Sequence, residues 1–509
     1  MRARISRHLG PVLSAAPGLE PDRLLAESAT DTDTAIDAAS DTTVALARRL
    51  ARPAALAGPS DRVGPVPPEF SGRDYTIFLL RIAAEVEHTL MVQYLFAAYS
   101  LGGPDVPDSL REQVRAWQET ILGVAKEEMG HLITVQNLLT VLGAARQFDR
   151  DDYPSDSPLY PFGFRLEPLS LNSLAAYICA ESPADWNDAE AAQIKARAQA
   201  DTGDVVNRVG ALFDQLITLF EDPAILPDNV FQPDTRVFQA GWDEWGRGYR
   251  EDQRGTEATS VLPGLPAPEL VILPADSRAA ALVALRAIAE QGEGLQAPED
   301  ENDSHFVRFL TIYRALDQIG PDAAKVVRPV ATNPVAGDET GGAPGDPDTP
   351  TPISHPEAVL WAHLFNVRYR KLLVSLSHAF ELAGDLTNLN ALSPRGWLIH
   401  RTFGEMYNLR AIAGMLVRLP LRVDDVDGPR AGPPFQMPYS LGLPSNERNR
   451  WRVHRDLLDA AAALYADLRA VLAEGSEARD YLTAVAQLDQ IERAQVEQLI
   501  APAAGSPTP

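Results

Sequence analysis

Residues 77–101 read IFLLRIAAEVEHTLMVQYLFAAYSL. The run is long enough for about seven helical turns and apolar on nearly every side. From Ile82 to Leu101 its only acids and histidine are Glu85, Glu87 and His88. At 100° per residue, Glu87 falls on the stripe Leu80, Ala83, Leu90, Met91, Tyr94 and Ala98, which is otherwise core. Glu85 and His88 share a more polar stripe with Arg81 and Thr89. A buried carboxylate without a partner is costly, so an inward Glu87 calls for a cation or a metal.

A second stretch, VAKEEMGHLITVQNLLTVLGA at 124–144, repeats the anomaly. Its core stripe runs through Trp117, Ile121, Ala125, Leu132, Val135, Leu139 and Leu142, and Glu128 interrupts it. His131 lies one turn on, so Glu128-x-x-His131 places a carboxylate and an imidazole on one face, able to share a metal ion. Glu127 points about 100° away and is expected in solvent. Ser109 and Glu112 form a capping-box pattern that would open this helix at 109, and Gly143 would close it.

Further along, AIAEQGEG at 287–294 and DSHFVRFL at 303–310 supply Glu290, Glu293 and His305. His305 shares a face with Phe309, Ile312 and Leu316. Two inward acids and a histidine on adjacent helices are half of a di-metal carboxylate site, and these three residues are candidates for the other half. Candidate metal ligands are thus Glu87, Glu128, His131, Glu290, Glu293 and His305, with no catalytic side chain singled out.

The stretches 71–145 and 276–316 resemble the ferritin-like domain of the iminophenyl-pyruvate dimer synthase type, found among enzymes of violacein and indolocarbazole biosynthesis. The resemblance implies a mainly α fold: a ferritin-like helical bundle with a long irregular insert, followed by a second four-helix bundle. It favours Glu87, Glu128 and His131 as ligands and extends to Glu290, Glu293 and His305. It also implies iron as cofactor, a di-iron pair with manganese as the other option, and an oxygen-dependent oxidoreductase acting on a small, aromatic or amino-acid-derived metabolite. A metal-binding scaffold and a heme-dependent oxidative coupling enzyme are the competing functions. The chain departs from the usual ligand pattern, because Glu290-x-x-Glu293 stands where Glu-x-x-His is expected.

The rest of the 509 residues divides on composition. Residues 1–70 read as a flexible leader, 71–331 as the metal-binding domain, 332–354 as a Pro/Gly-rich linker, 355–500 as the helical bundle and 501–509 as a tail. In the last bundle, Pro356, Ser393-Pro394, Ser445 and Ser476 mark four helix starts. GEMYNLRAIAGML at 404–416 aligns with EEMGHLITVQNLL at 127–139, setting Glu405 on Glu128 and Asn408 on His131. Asn is a poor transition-metal ligand, so this bundle is expected to bind no metal and to pack an ordinary core. Its histidines, His355, His363, His378, His400 and His454, are expected at the core edge or surface. In the insert, Tyr153, Tyr160, Trp186, Trp242, Trp245 and Tyr249 are candidates to wall an aromatic pocket.

A formal net charge of −25 disfavours nucleic acid and anionic membrane as partners. A small-molecule substrate is expected, with a homo-oligomer as an option. One cysteine, Cys179, leaves no intramolecular disulfide, and no apolar run is long enough for a bilayer span. The cytoplasm is the expected compartment.

Overall fold

The computed structural model describes residues 66–155, 157, 160–245, 270–293, 304–337, 347–384, 393–438 and 441–501. The expected leader up to residue 65, the tail from 502 and Tyr249 lie outside the described residues. The chain is mainly α-helical.

Two long helices, α1 (Gly72–Ser100) and α2 (Arg111–Val141), pack along their length as an antiparallel hairpin. Ser71 caps α1 by accepting from Asp74 N–H at 3.1 Å. The capping box at Ser109 does not form. Asp108–Leu110 make a 3₁₀ turn instead, with Leu110 N–H donating to Pro107 O at 2.9 Å and Arg111 N–H to Asp108 O, so backbone rather than the serine hydroxyl leads into α2. Gly143 ends α2 at φ +66°, with Gly143 and Ala144 N–H groups returning to Thr140 and Leu139 carbonyls.

Among the described residues, five shorter helices of ten residues or more complete the first bundle: α3 (Leu171–Ala180), α4 (Ala189–Thr202), α5 (Val209–Glu221), α6 (Arg278–Glu293) and α7 (His305–Gln318). Helix α5 packs on α1 and α6, and α7 packs on α3. The outer face of α2 is covered by an extended strap, 270–275. Gly130 makes this possible, since a Cβ there would stand 3.1 Å from Val271 N. Thr134 Oγ1 donates to Val271 O at 2.6 Å and Asn137 Nδ2 donates to Leu273 O at 3.1 Å, pinning the strap to the helix.

The stretch read as a linker is partly structured. Pro334–Ala336 (β1) and Thr351–Ile353 (β2) pair in parallel. Buried Asn333 ties the segment down: its N–H donates to Leu166 O at 2.7 Å and its Oδ1 accepts from Leu166 N–H at 2.8 Å.

The second bundle has four helices: α8 (Pro356–Glu381), α9 (Pro394–Leu416), α10 (Glu447–Val471) and α11 (Glu477–Ile500). Ser393 and Ser476 cap α9 and α11 as expected; Asn446, one residue past Ser445, caps α10 by accepting from Asn449 N–H. Its centre is not an ordinary apolar core. Lys371 Nζ donates to Glu405 Oε1 at 2.8 Å and Glu492 Oε2 at 2.7 Å. Arg368 reaches Glu405 Oε1 at 3.0 Å and Asp489 Oδ2 at 2.5 Å. Arg401 lies 3.6 Å from Glu492. His378 and His454 are also buried, 3.0 Å apart, contrary to the surface reading.

Those carboxylates are paired by cations from their own chain. Removing one cation strands a buried charge, which typically costs about 3–5 kcal/mol. Lys371→Met is therefore expected to lower the unfolding midpoint in urea markedly, whereas Arg493→Gln, an exposed partner of Asp459, shifts it little. Equal midpoints for the two variants in a urea titration would contradict the buried network.

Candidate metal centre

Three carboxylates and two imidazoles meet between α1, α2, α3 and α7. Glu87 sits midway along α1, Glu128 and His131 on the facing stripe of α2, Glu181 at the C-cap of α3, and His305 at the first residue of α7. Each is at most 3% exposed. Ser304 caps α7 by accepting from Val307 N–H, which starts the helix where His305 turns inward.

The ligand atoms fall into two trios, Glu87–Glu128–His131 and Glu128–Glu181–His305, each with its atoms within 4.8 Å of one another. Glu128 belongs to both. Its Oε2 lies 2.9 Å from His131 Nδ1, and its Oε1 lies 2.9 Å from His305 Nδ1. Glu87 Oε2 is 3.4 Å from His131 Nδ1, and Glu181 Oε2 is 3.8 Å from His305 Nδ1.

The far nitrogen of each ring decides what the near one presents. His305 Nε2 donates to Glu127 Oε2 at 3.1 Å, and Arg308 Nη2 donates to the same oxygen. His131 Nε2 donates to Gln291 Oε1 at 2.9 Å. Held this way, each ring turns Nδ1 toward Glu128; His131 Nδ1 hydrogen-bonds to Glu128 Oε2 at 2.9 Å, and a metal would take the place of that proton. The His305 Nδ1 and Glu128 Oε1 atoms, although 2.9 Å apart, form no aligned hydrogen bond. These orphaned donor atoms and their carboxylate-rich surroundings fit a metal pair.

The electrostatics agree. Burial, and then the Glu128 charge, push Glu87 well above the usual carboxylate range. Burial and Glu128 likewise raise Glu181 to about 7. Burial alone would depress His131 and His305, but Glu87 and Glu128 hold the first well above its ordinary value, and Glu128 and Glu127 raise the second. Burial opposes the Glu127 charge, yet Arg308 and His305 hold it down to about 2. Protons held at His131 and Glu87 occupy the region that a metal would neutralise.

Four sequence candidates converge, Glu87, Glu128, His131 and His305. Glu290 does not. It is exposed on the outer side of α6, because the cluster-facing position is Gln291, one residue and about 100° around the helix. Glu293 ends α6, and its side chain lies outside what the structure describes. Glu127 is buried rather than solvated, since α7 brings His305 and Arg308 onto that face of α2. His88, on the stripe read as polar, is buried against Tyr369 of α8, with which its Nε2 hydrogen-bonds.

Glu181 is the candidate ligand that sequence reasoning missed. Its signal was present: Leu174, Tyr177, Ile178 and Glu181 follow i, i+3, i+4, i+7 spacing, an acid on an apolar stripe like Glu87. Tyr94 OH donates to Glu181 Oε1 at 2.6 Å. The described insert aromatics pack elsewhere. Trp186 meets Phe306, Trp245 meets Phe380 and Phe403, and Tyr153 OH donates to Pro334 O. The centre opens instead between Val209, Gly210 and Phe213 of α5 and Ile288 and Gly292 of α6, with free space of about 10 Å³, enough for one water-sized molecule.

The ferritin-like family model matches residues 80–314, which hold every residue of the two trios. With the helical architecture, this gives the first bundle a ferritin-like fold. Dichlorochromopyrrolate synthase of Lentzea aerocolonigenes is 26% identical over 398 residues, covering 72% of this chain and 36% of that protein. The chain thus spans about a third of that relative's length. Among solved structures, a ferritin-like protein from Caulobacter vibrioides aligns at 18% identity and a TM-score of 0.37, over 68% of this chain and 98% of that one. No helix among the described residues is long and apolar enough to cross a membrane.

Glu127 orients a ligand ring without facing the cluster itself. Losing such a support typically costs about 10–100-fold in metal affinity. Glu127→Gln is expected to weaken Fe(II) binding in that range while leaving the helical circular dichroism signal intact. Unchanged affinity in a competition assay with a chelating dye would show that His305 needs no such support.

Proposed function

We propose that the protein is an oxygen-dependent, metal-dependent oxidoreductase that holds two iron ions and oxidises a small organic metabolite, similar in chemistry to iminophenyl-pyruvate dimer synthases. The observation that carries this reading is Glu128, whose two oxygens face two separate carboxylate–imidazole sets 2.9 Å away on either side. Glu87 and His131 would hold one ion and Glu181 and His305 the other, with Glu128 available to both. Three carboxylates and two imidazoles suit Fe(II) or Mn(II) better than Cu or Zn. The distant similarity to a synthase supports a reaction in the making of a small molecule.

When bound, such an ion pair supplies the binding of oxygen and the exchange of electrons with it. The chain's own residues set the conditions. Glu127 and Arg308 fix the His305 ring, and Gln291 fixes His131. Tyr94 holds Glu181 through its hydroxyl and keeps a proton at the edge of the cluster. Burial of all five ligand side chains excludes bulk water, which strengthens every charge interaction inside. The narrow opening beside Phe213 admits a molecule the size of water or dioxygen.

Because Glu128 is shared, the variants should differ in stoichiometry. Wild-type protein reconstituted with Fe(II) is expected to carry about two ions per chain, as the paired trios imply. Glu128→Ala should lose both, while Glu181→Ala should keep the ion held by Glu87 and His131. Asn408→Ala, in the second bundle, should bind as wild type. Elemental analysis checks each value, and oxygen uptake by the iron-loaded protein checks the activity. Equal metal in wild type and Glu128→Ala removes the site. Full loading without oxygen uptake in the presence of reductant marks a metal-binding protein rather than an oxidase. A Soret band in the purified protein marks heme chemistry.

A further inference from the structure

A second cavity, of about 610 Å³, opens where the two bundles meet. That volume is in the usual range of small-molecule sites, roughly 300–1,000 Å³. It lies at one end of the hairpin. Tyr99 is twelve residues beyond Glu87 on α1, and Gln118 is ten before Glu128 on α2. At 1.5 Å per residue the cavity stands about 15–18 Å from the metal centre, so its occupant does not touch the ions.

Its charge is opposite to that of the molecule. In a chain carrying a net −25, three guanidiniums gather here, those of Arg328, Arg410 and Arg418. Arg410 is held by Glu119 of α2 at 2.7 Å. Arg328 is held by backbone: its Nη1 donates to Leu101 O at the C-terminal end of α1. Gly102 and Gly103, at φ +91° and +133°, let the chain lie flat against that guanidinium, since a Cβ on Gly102 would stand 3.2 Å from Nη1. Arg418 is exposed at the C-terminal end of α9. Among the described residues, neither Arg328 nor Arg418 forms an ion pair with a carboxylate. They are close enough that Arg418, after burial, is what depresses the Arg328 guanidinium. An anion placed between them relieves that repulsion.

The remaining lining restricts the anion. Tyr99, Leu122 and Met415 give an apolar wall. Glu357 and Glu477 also face the cavity and oppose a ligand of high negative charge such as a polyphosphate. We infer that this cavity binds an organic monocarboxylate with a flat apolar body, its carboxylate between Arg328 and Arg418 and its body against Tyr99, Leu122 and Met415. The inference is independent of what the metal centre does.

Isothermal titration of the full chain with 1-naphthoate, with 1-naphthamide and pyrophosphate as controls, tests it. Naphthoate is expected to bind and to weaken as salt is raised, with naphthamide about tenfold weaker or worse. Arg418→Gln should weaken naphthoate about tenfold at unchanged Tm, because the side chain is exposed and unpaired among the described residues. Gly414→Phe should abolish binding by filling the space, and the fold should accept it, since a Cβ there meets nothing within 4 Å. Metal content should be unchanged in both variants. The inference is overturned by equal binding of naphthoate and naphthamide, by binding that neither substitution alters, by pyrophosphate binding as tightly as naphthoate, or by no naphthoate binding up to about 10 mM, weaker than expected even of a small ligand.

Discussion

Everything in the first bundle is arranged around the cost of burying negative charge at Glu128. Its carboxylate and those of Glu87 and Glu181 share one closed space, each at most 3% exposed. Left alone, such a cluster would cost far more than the few kcal/mol by which a domain is stable. Two imidazoles moderate it, drawn toward their protonated form by the surrounding carboxylates, on rings anchored outside by Glu127 and Gln291. The helices that carry these side chains are long and apolar enough to hold the cluster rigid. Packing thus supplies the stability that the polar centre withholds.

The second bundle meets a similar problem and solves it differently. Glu405, Asp489 and Glu492 are as close together as the ligands of either trio. Here Lys371 and Arg368, both on α8, enter the cluster and compensate it. Burial alone would depress the Lys371 ammonium, but Glu405 and Glu492 hold it above its ordinary value, so it stays charged. The centre of this bundle is closed by covalently attached cations, while the trios of the first bundle are faced by imidazoles. That contrast explains why similar sequence stripes, EEMGHL and GEMYNL, serve different ends.

The two bundles are joined by polar contacts that local sequence does not announce. Arg150 donates to the Tyr369 hydroxyl and to Phe435 O at 3.1 and 2.6 Å, and Arg395 donates to Gln239 O and the Glu244 carboxylate. His88 completes this seam at Tyr369, one residue along α1 from the cluster residue Glu87. Residues 333–336 and 351–353 close it, with Asn333 bonded to Leu166. Turn-rich composition reports local backbone preference and is silent on whether the turns are buried.

Helix periodicity determined the helical class, the two long helices and the inward direction of Glu87, Glu128, His131 and His305, and cap residues marked the four helices of the second bundle. Those readings rest on interactions within a few residues, where spacing along the chain is spacing in space. The sequence was less able to distinguish Gln291 from Glu290, because a one-residue difference in helix phase turns a side chain by about 100°. Glu181 carried the right stripe but stood at a helix end, where an acid is ordinarily a solvated cap. Tertiary structure decided these cases, along with the burial of Glu127 by Arg308 and the use of Lys371 as an internal cation. The physical reason is common to all of them: a charged side chain's environment is set by whichever distant segment packs against it, and that partner leaves no mark in the local pattern.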